Sequence, residues 1–285
     1  MRENTLRNAP LDGLSITLTW SIPENPPSQG PEDFFSNYQL RFKDSQPDSS
    51  IICIVKNDGW STGDYPYSYQ LQNEREGISF DLDVDRFRID MTKPDNYSNW
   101  DSFAPVIESG IDILLQALNK TVGATCFDSV SIRYDDWFPT EITGRDSSHF
   151  IRDVLGFSIA LPDRIDEGFP SKGDESVQAY VNRHFAGCGL DATIKVADMT
   201  RIAGRPADPS RAGVALMMQI SNRSSIDTDL RSVMDSLSEE HDIAHRMFFT
   251  LIEPIRDTFG VGEDQGKQPN SWRRFGRGSP CPGDR

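Results

Sequence analysis

The sequence predicts an α+β fold in which a mostly antiparallel sheet is covered by helices. Three observations predict it. Short alternating or β-branched segments recur along the chain, two long segments carry apolar residues at helical spacing, and strands follow one another without a helix after each. The order of strand, helix, several strands, helix and strand returns loosely in the second half. Two loosely similar halves are therefore an open alternative, although no residue-level repeat accompanies the pattern.

The same patterns divide the chain into three regions. An N-terminal α+β half spans 1–145, a C-terminal α+β half spans 146–260 and packs on the first, and 261–285 is a disordered tail without apolar periodicity. The tail holds five basic and three acidic side chains, so the rest of the chain carries a formal charge of −17. The basic-aromatic patch of the tail includes Trp272, Arg273 and Arg274.

The first half begins with a strand at 13–22, where the residues alternate and are β-branched. After a proline-rich loop, a helix is predicted whose apolar face holds Phe34, Phe35, Tyr38 and Phe42. Residues 77–91 predict a hairpin, because the parity of their apolar side chains changes near Asp83 to Asp85 and a strand needs a turn or bulge to change parity. Further strands are predicted at 50–57, 68–74 and 128–139.

The clearest helix of the first half is predicted at 97–120, with Ser98 and Asp101 in a capping arrangement at its start. Its buried stripe consists of Phe103, Ile107, Ile111, Leu114 and Leu118. In the second half, strands are predicted at 157–162, 191–202 and 213–222, and a helix at 174–185. Ser236 and Glu239 have the spacing of a capping box, which predicts that the last long helix begins there.

Composition and charge narrow the range of functions. The chain has 285 residues with 29 basic and 44 acidic side chains, and its formal charge is −15. Broad contact with phosphates requires clustered Lys and Arg, so the charge argues against nucleic-acid binding by the body. It suits either a soluble cytosolic protein, whose acidity serves solubility, or a protein whose partner is basic. The sequence shows no signal-peptide pattern and no apolar run of membrane-spanning length, and its four Cys are widely spaced. A cytoplasmic protein with reduced thiols and no membrane contact is expected.

The sequence lacks the motifs that indicate common enzymes. It has no P-loop, no G-x-G-x-x-G after a strand, no G-x-S-x-G elbow and no kinase signature. Asp135 and Asp136 are adjacent on a predicted strand, so they point to opposite faces and cannot share a proton. A non-enzymatic protein without a cofactor is therefore favoured.

The stretch EEHDIAH is the one candidate for metal chemistry. His241 and His245 are four residues apart, so they are neighbours on the flank of the predicted helix. With His184 and Cys188 they would complete a zinc site of three His and one Cys, although the H-E-x-x-H order of zinc proteases is missing. The alternative is a hydrogen-bonded His pair packed beside the core.

Four stretches, DRFRID, YSNWDSF, SIRYDDW and EEHDIAHRMFFTLIEP, occur in this order between about residues 10 and 260. In these stretches the chain resembles the TIGR04255 family of sporadically distributed bacterial proteins. The family positions fall on Tyr97, Trp100, Arg133, Tyr134, His241 and Phe248. The family has Asn where this chain has Asp136, so an amide role at that place would be lost or altered.

The resemblance implies no known activity, cofactor or catalytic residue. Sporadic occurrence is typical of mobile genes, so it also suggests a toxin–antitoxin or phage-defence cassette. The first hypothesis is a non-enzymatic regulatory or interaction protein of the bacterial cytoplasm that binds a protein partner through an acidic surface. Its candidate binding residues are Trp100, Arg133, Tyr134, His241, Trp272, Arg273 and Arg274.

Two alternatives stay open at this point. One is a zinc-dependent enzyme that uses His184, Cys188, His241 and His245. The other is a nucleic-acid-associated protein that acts through Arg133 and the tail. The sequence leaves the oligomeric state open.

Overall fold

The computed structural model describes most of the chain. The described residues are 6, 9–21, 36–38, 41, 51–56, 68–73, 77–83, 85–91, 93–121, 124–144, 147–157, 178–199, 201–202, 205–206 and 212–260. The tail with Trp272, Arg273 and Arg274 lies outside them. So do Phe34, Phe35, Phe42 and all but the first residue of the strand predicted at 157–162.

The described residues form strands, two long helices and several short helical turns. The strands are β1 (Leu11–Thr19), β2 (Ile51–Lys56), β3 (Ser68–Asn73), β4 (Ile78–Leu82), β5 (Arg86–Met91), β6 (Cys126–Phe127), β7 (Ser129–Pro139), β8 (Gln178–Phe185), β9 (Leu190–Asp198), β10 (Arg201–Ile202), β11 (Arg205–Pro206), β12 (Gly213–Asn222) and β13 (Ile226–Asp227). The α-helices are α1 (Trp100–Thr121), α2 (Thr140–Thr143), α3 (Ser147–His149) and α4 (Leu230–Leu251). The remaining turns are the 3₁₀ segments Pro94–Asn96 and Glu253–Phe259 and the π segment Phe150–Val154.

The main sheet has the strand order β2-β3-β4-β5-β1-β7-β12-β9-β8. The pairs β1–β5, β2–β3, β3–β4, β4–β5 and β8–β9 are all antiparallel. The predicted α+β class with a large antiparallel sheet and helices is confirmed. Among the described residues, no helix combines the length and the apolarity that a membrane crossing requires.

The chain divides into two compact units, each made of discontinuous segments. Unit A comprises Leu11–Asp135 and Met218–Ala244, and unit B comprises Met1–Pro10, Asp136–Met217 and His245–Arg285. The sequence-based division, by contrast, consists of continuous regions, with cuts after residues 145 and 260. Three continuous elements, β7, β12 and α4, contribute residues to both units.

The core of unit A forms where α1 meets alternating strand residues. The inward residues Leu14, Ile16 and Leu18 of β1 are at most 2% exposed, and the predicted stripe of α1 is buried throughout. Each fully buried side chain of this size contributes about 1.5–3 kcal/mol. Gly110 on α1 allows close packing, because a Cβ there would lie 2.6 Å from Cε1 of Phe80. The sequence therefore places both the strand face and the helix face correctly.

The start of α1 differs from the predicted cap. The side-chain oxygen of Asn99 accepts a hydrogen bond from the backbone N–H of Ser102 at 2.8 Å. Ser98 instead shares a hydroxyl–hydroxyl bond of 2.7 Å with Ser102. Asn is as good a capping residue as Ser, so the sequence pattern alone could not choose between neighbouring positions.

The core of unit B is built around Phe138, which is fully buried. Its ring lies 5.3 Å from that of Phe150 and 6.0 Å from that of Phe259. Phe259 ends the 3₁₀ segment that follows α4, and Gly260 then adopts a φ of 67°. Helix α4 ends at Leu251, three residues before Pro254, which has no N–H to donate to the carbonyl of Thr250.

Two sequence predictions are wrong in the second half. Residues 178–185 of the helix predicted at 174–185 form strand β8, which pairs with β9 along its whole length. The weak helical spacing of this segment is overridden by its pairing with β9, which a local sequence pattern cannot show. The last helix begins at Leu230 rather than Ser236, because Asp229 caps it by accepting a 3.0 Å hydrogen bond from the backbone N–H of Ser232.

Candidate functional site

Four side chains from the resembling stretches meet in unit A. They are Tyr97, Trp100, Tyr134 and His241, named here the Trp100 cluster. Trp100 is the first residue of α1, and Tyr97 lies three residues before it. Tyr134 lies on β7 and His241 on α4, 107 positions apart in the sequence. The fold therefore gathers residues that the sequence marks only as separate motifs.

The alternation of β7 determines how Tyr134 enters the cluster. Ile132 and Tyr134 are buried on one face, while Arg133 and Asp135 lie on the other. Tyr97 is positioned by the preceding 3₁₀ segment, since its N–H donates a 2.9 Å hydrogen bond to the carbonyl of Pro94. Each cluster residue is thus held by regular secondary structure or by a turn next to it.

A hydrogen-bond chain joins three members of the cluster. The hydroxyl oxygen of Tyr134 lies 2.6 Å from Nδ1 of His241, and the Tyr134 hydroxyl is also hydrogen-bonded to Tyr97. A phenol carries a single proton, so Tyr134 donates to one neighbour and accepts from the other, depending on the His241 tautomer. Burial raises the pKa of Tyr97 to about 12, and the Tyr97 phenol therefore stays protonated at neutral pH.

Ring contacts fix the cluster further. The His241 ring stacks on the Trp100 indole, with 4.6 Å between centroids and 8° between planes. Tyr97 meets the Phe103 ring edge-on at 5.9 Å. Aromatic pairs in such geometries contribute about 0.5–1.5 kcal/mol beyond the burial of their surface. His241 is therefore held through one ring nitrogen and one ring face.

The cluster is partly open to solvent and lies beside an acid. Tyr97, Trp100 and His241 are each partly exposed, whereas Tyr134 is buried. Asp101 is exposed in the first turn of α1, and its negative charge acts on Tyr97. Aromatic faces next to a carboxylate attract cations, because both the ring quadrupole and the negative charge favour a positive group.

Arg133 does not join the cluster. It lies on the opposite face of β7, where its guanidinium is 2.7 Å from the Asp135 carboxylate. Phe248 belongs to unit B and packs edge-on against Phe249 at 5.6 Å. Of the binding residues predicted from the sequence, the structure therefore brings together Trp100, Tyr134 and His241.

The zinc site predicted from the sequence draws on residues of both units, since His241 belongs to unit A and His184, Cys188 and His245 belong to unit B. Within the described part of the chain, no group of three or more His, Cys, Asp or Glu residues could hold a metal. Nδ1 of His184 lies 2.8 Å from the carboxylate of Asp191, and His241 is engaged by Trp100 and Tyr134. His184 and His241 thus have local partners of their own, and the zinc-dependent enzyme stays a prediction.

Sequence reasoning missed a buried carboxylate next to the cluster histidine. Glu240 is 0% exposed, and its Oε1 accepts a 3.0 Å hydrogen bond from the hydroxyl of Ser236. Ser236 in turn accepts a 3.1 Å hydrogen bond from the side-chain amide of Asn222. Backbone N–H groups of Ile132 and Asn222 approach the carboxyl, although Oε2 has no hydrogen bond of normal geometry. The capping box predicted from the sequence pairs Ser236 with Glu239, whereas the hydroxyl of Ser236 is hydrogen-bonded to Glu240.

Burial raises the pKa of Glu240 well above its ordinary value, and the three hydrogen bonds oppose this shift without cancelling it. No signal in the sequence separates Glu240 from the neighbouring charged residues. Only the i,i+4 spacing to Ser236 could have suggested the hydrogen bond.

His245 has a different environment from His241. Its ring lies 4.6 Å from that of Phe249, and the Arg256 guanidinium stands 5.0 Å over the same Phe249 ring. Burial, and secondarily Arg256, lower the pKa of His245 to about 4 from the ordinary 6.5. His245 is therefore neutral at physiological pH and behaves as a packing residue.

Replacing His245 with Phe is expected to reduce the loss of stability in acid. Between about pH 4 and 6.5 the unfolded wild type binds more protons than the folded form, so its free energy of unfolding falls as the pH is lowered through this window. The full effect is about 3 kcal/mol at most. Urea unfolding at pH 7 and at pH 4.5 measures it, with the exposed His149→Gln as the matched control. Equal acid losses in His245→Phe and wild type would contradict the assignment.

Comparisons with known proteins do not assign this chain to a family. No protein-family model matches the sequence, and no curated protein matches it. The resemblance to the TIGR04255 family stays a prediction, and the function is inferred from the contacts of the described residues.

Proposed function

We propose that this chain is a non-enzymatic interaction protein of the bacterial cytoplasm that binds a basic segment of a protein partner at the Trp100 cluster. A regulatory role, within a toxin–antitoxin or phage-defence cassette, is part of this proposal. The observation that carries it is the partly exposed Trp100–His241 stack, held at 4.6 Å and oriented by the Tyr134 hydrogen bond.

Rigid aromatic residues are the usual anchors of protein interfaces. Trp and Tyr provide much of the binding energy in such contacts, because they bury a large area while losing little side-chain freedom. The cluster combines both residue types, and its rings are already ordered by mutual contacts. A partner would therefore bind there without a large ordering cost.

Charge favours a basic partner. The formal charge of the chain is −15, which increases the rate at which a positively charged protein approaches. At the site itself, exposed Asp101 stands next to the aromatic rings. A Lys or Arg side chain could pair with this carboxylate and contact a ring face, as cation–π interactions require.

The nucleic-acid alternative receives less support. Arg133, on which it depends, is paired with Asp135 through two nitrogens at 3.0 and 2.7 Å. A guanidinium that is already neutralised by a carboxylate contributes less to phosphate binding.

Reversing the charge of Asp101 is expected to weaken partner binding about tenfold, or 1.4 kcal/mol. Tagged wild type, Asp101→Lys and Glu108→Lys are each used to capture proteins from a lysate of the native cells at about 0.15 M salt, where exposed charges are already screened. Glu108 is exposed on the same helix, so Glu108→Lys controls for net charge. Any protein retained by wild type is quantified by mass spectrometry.

The expected result is one basic protein that Glu108→Lys retains and Asp101→Lys loses. Equal retention by both variants would place the contact elsewhere, and a column without any stoichiometric protein would contradict the interaction function. Melting curves of the two variants separate a binding effect from the loss of helix stability, since an acid in the first turn contributes about 0.3–1 kcal/mol.

A further inference from the structure

Strand β8 of unit B is largely exposed to solvent. In the described part of the chain it has β9 on one side and no strand on the other. None of its eight residues is buried, and six are exposed. Tyr180, at 58% exposure, and Val181, at 41%, are the large hydrophobic side chains that stand exposed among the described residues. Because successive side chains of a strand alternate between the two faces, β8 exposes one large apolar side chain on each face of the hairpin.

The strand has little of the usual protection of a sheet edge. Proteins discourage edge pairing with Pro, charged side chains (Lys above all), inward-pointing charges, bulges or short strands. β8 contains no Pro, Lys, Asp or Glu, its one permanently charged side chain is Arg183, and it is paired with β9 in continuous register from Gln178 to Phe185. Its outer backbone groups are therefore arranged for another strand.

Cross-strand contacts hold the β8–β9 hairpin in an extended form. The ammonium of Lys195 stands 5.2 Å over the Tyr180 ring, and Thr193 donates a 2.8 Å hydrogen bond to the Asn182 side chain. His184 and Asp191 contact each other at the closed end of the hairpin at 2.8 Å. An edge that is already ordered loses less entropy when it binds.

We propose that β8 pairs antiparallel with β8 of a second copy of this chain, about a twofold axis at Val181. Directly opposite residues of antiparallel strands share a face of the sheet. A twofold axis normal to the sheet keeps each residue of the second copy on the face that it has in the first. Because directly opposite residues share a face, the axis must pass between a residue and its own copy, and it cannot pass between two successive residues. This restricts the choice near the strand centre to Val181 or Asn182.

The Val181 register is the more complementary of the two. It places Val181 against its own copy, Tyr180 against Asn182, Ala179 against Arg183 and Gln178 against His184. The exposed apolar side chain then meets an apolar side chain, and no like charges are opposed. The Asn182 register would place Val181 against the guanidinium of Arg183.

The charges of the hairpin distinguish this surface from the Trp100 cluster. Arg183 and Lys195 are exposed here, so a basic partner would be repelled. The contact between two copies is formed by backbone groups and an uncharged centre, whereas each copy carries a formal charge of −15. Added salt screens that repulsion, so self-association strengthens with salt, while binding of a basic partner weakens.

Sedimentation equilibrium of the full chain tests the proposal, over a wide range of concentrations at low and high salt. The wild type is expected to form a dimer. Val181→Lys opposes two like charges across the axis and is expected to weaken the dimer at least about tenfold, or 1.4 kcal/mol. Thr258→Lys, an exposed position of the same unit, is the matched control and should dimerise like the wild type.

The register has its own test. Val181→Cys should form an intermolecular disulfide under mild oxidation, beyond the wild-type background, while Asn182→Cys should not, because its partner is Tyr180. Crosslinking through Asn182→Cys instead would overturn the register.

A wild type that stays monomeric, or a dimer that Val181→Lys leaves intact, would overturn the pairing. The edge would then be available to an extended segment of a different protein. Neither outcome affects the Trp100 cluster, because Val181 and Asp101 are changed in separate experiments with separate readouts.

Discussion

Glu240→Gln is expected to gain stability relative to the wild type as the pH rises from about 5 to 8. In the wild type, the carboxyl is buried and the pKa of Glu240 is raised well above its ordinary 4.5. Above the unfolded pKa, the folded form retains a proton that the unfolded chain has released. The free energy of unfolding therefore falls as the pH rises, until the folded pKa is reached.

The difference in unfolding free energy between Glu240→Gln and the wild type reports on the one proton of Glu240. All other titrating groups are shared, so their contributions cancel when the variant is compared with the wild type at each pH. One proton corresponds to a slope of at most about 1.4 kcal/mol per pH unit. Gln keeps the shape of the side chain but brings two N–H donors to Ser236, so the slope is the diagnostic quantity rather than the value at any single pH.

Urea unfolding at pH 5, 6, 7 and 8 measures the slope. Glu108→Gln, at an exposed position of α1, is the control, because an exposed carboxylate has nearly the same surroundings in the folded and unfolded chain. A Glu240→Gln curve parallel to that of the wild type would show that Glu240 ionises as an ordinary surface acid.

Gly213→Ala is expected to lower the free energy of unfolding by about 3–5 kcal/mol, among the largest effects of a single substitution. A Cβ at this position would collide with the carbonyl oxygen of Phe138 and lie 2.9 Å from the ring of Trp137. A backbone carbonyl cannot rotate away as a flexible side chain can, so β12 and β7 would have to move apart locally.

Gly187→Ala provides the matched control. Gly187 lies in the turn between β8 and β9, and a Cβ there would meet no atom within 4 Å. Its effect should stay within about 0.5 kcal/mol. Urea unfolding of the two variants at neutral pH measures both, and a Gly213→Ala variant as stable as Gly187→Ala would contradict the close approach of the strands.

The sequence predicts the fold class because strand alternation and helical spacing are local properties. The hairpin near Asp83 to Asp85 and the strand at 213–222 follow directly from side-chain parity. Strand β8 could not be identified in this way, because its sequence fits both periods and the pairing with β9 decides. Long-range pairing is the information that a local pattern lacks.

The candidate site could be predicted only in part. The resemblance marks Tyr97, Trp100, Tyr134 and His241 as separate positions, but the sequence separation of 107 positions between Tyr134 and His241 hides their contact. Glu240 lies in a charged stretch, and nothing local distinguishes it from Glu239. Its burial depends on where β7 and β12 meet α4, which is a tertiary property.

The discontinuous units have a consequence for how binding regions can be mapped. Unit A needs residues near 11–135 together with 218–244, and its boundaries fall inside β7, β12 and α4. Any fragment that keeps only one of these two segments therefore leaves the core of unit A incomplete. A deletion series built from such fragments would lose binding throughout and would wrongly suggest that the whole chain forms the contact surface. Single substitutions in the intact chain are the appropriate way to locate it.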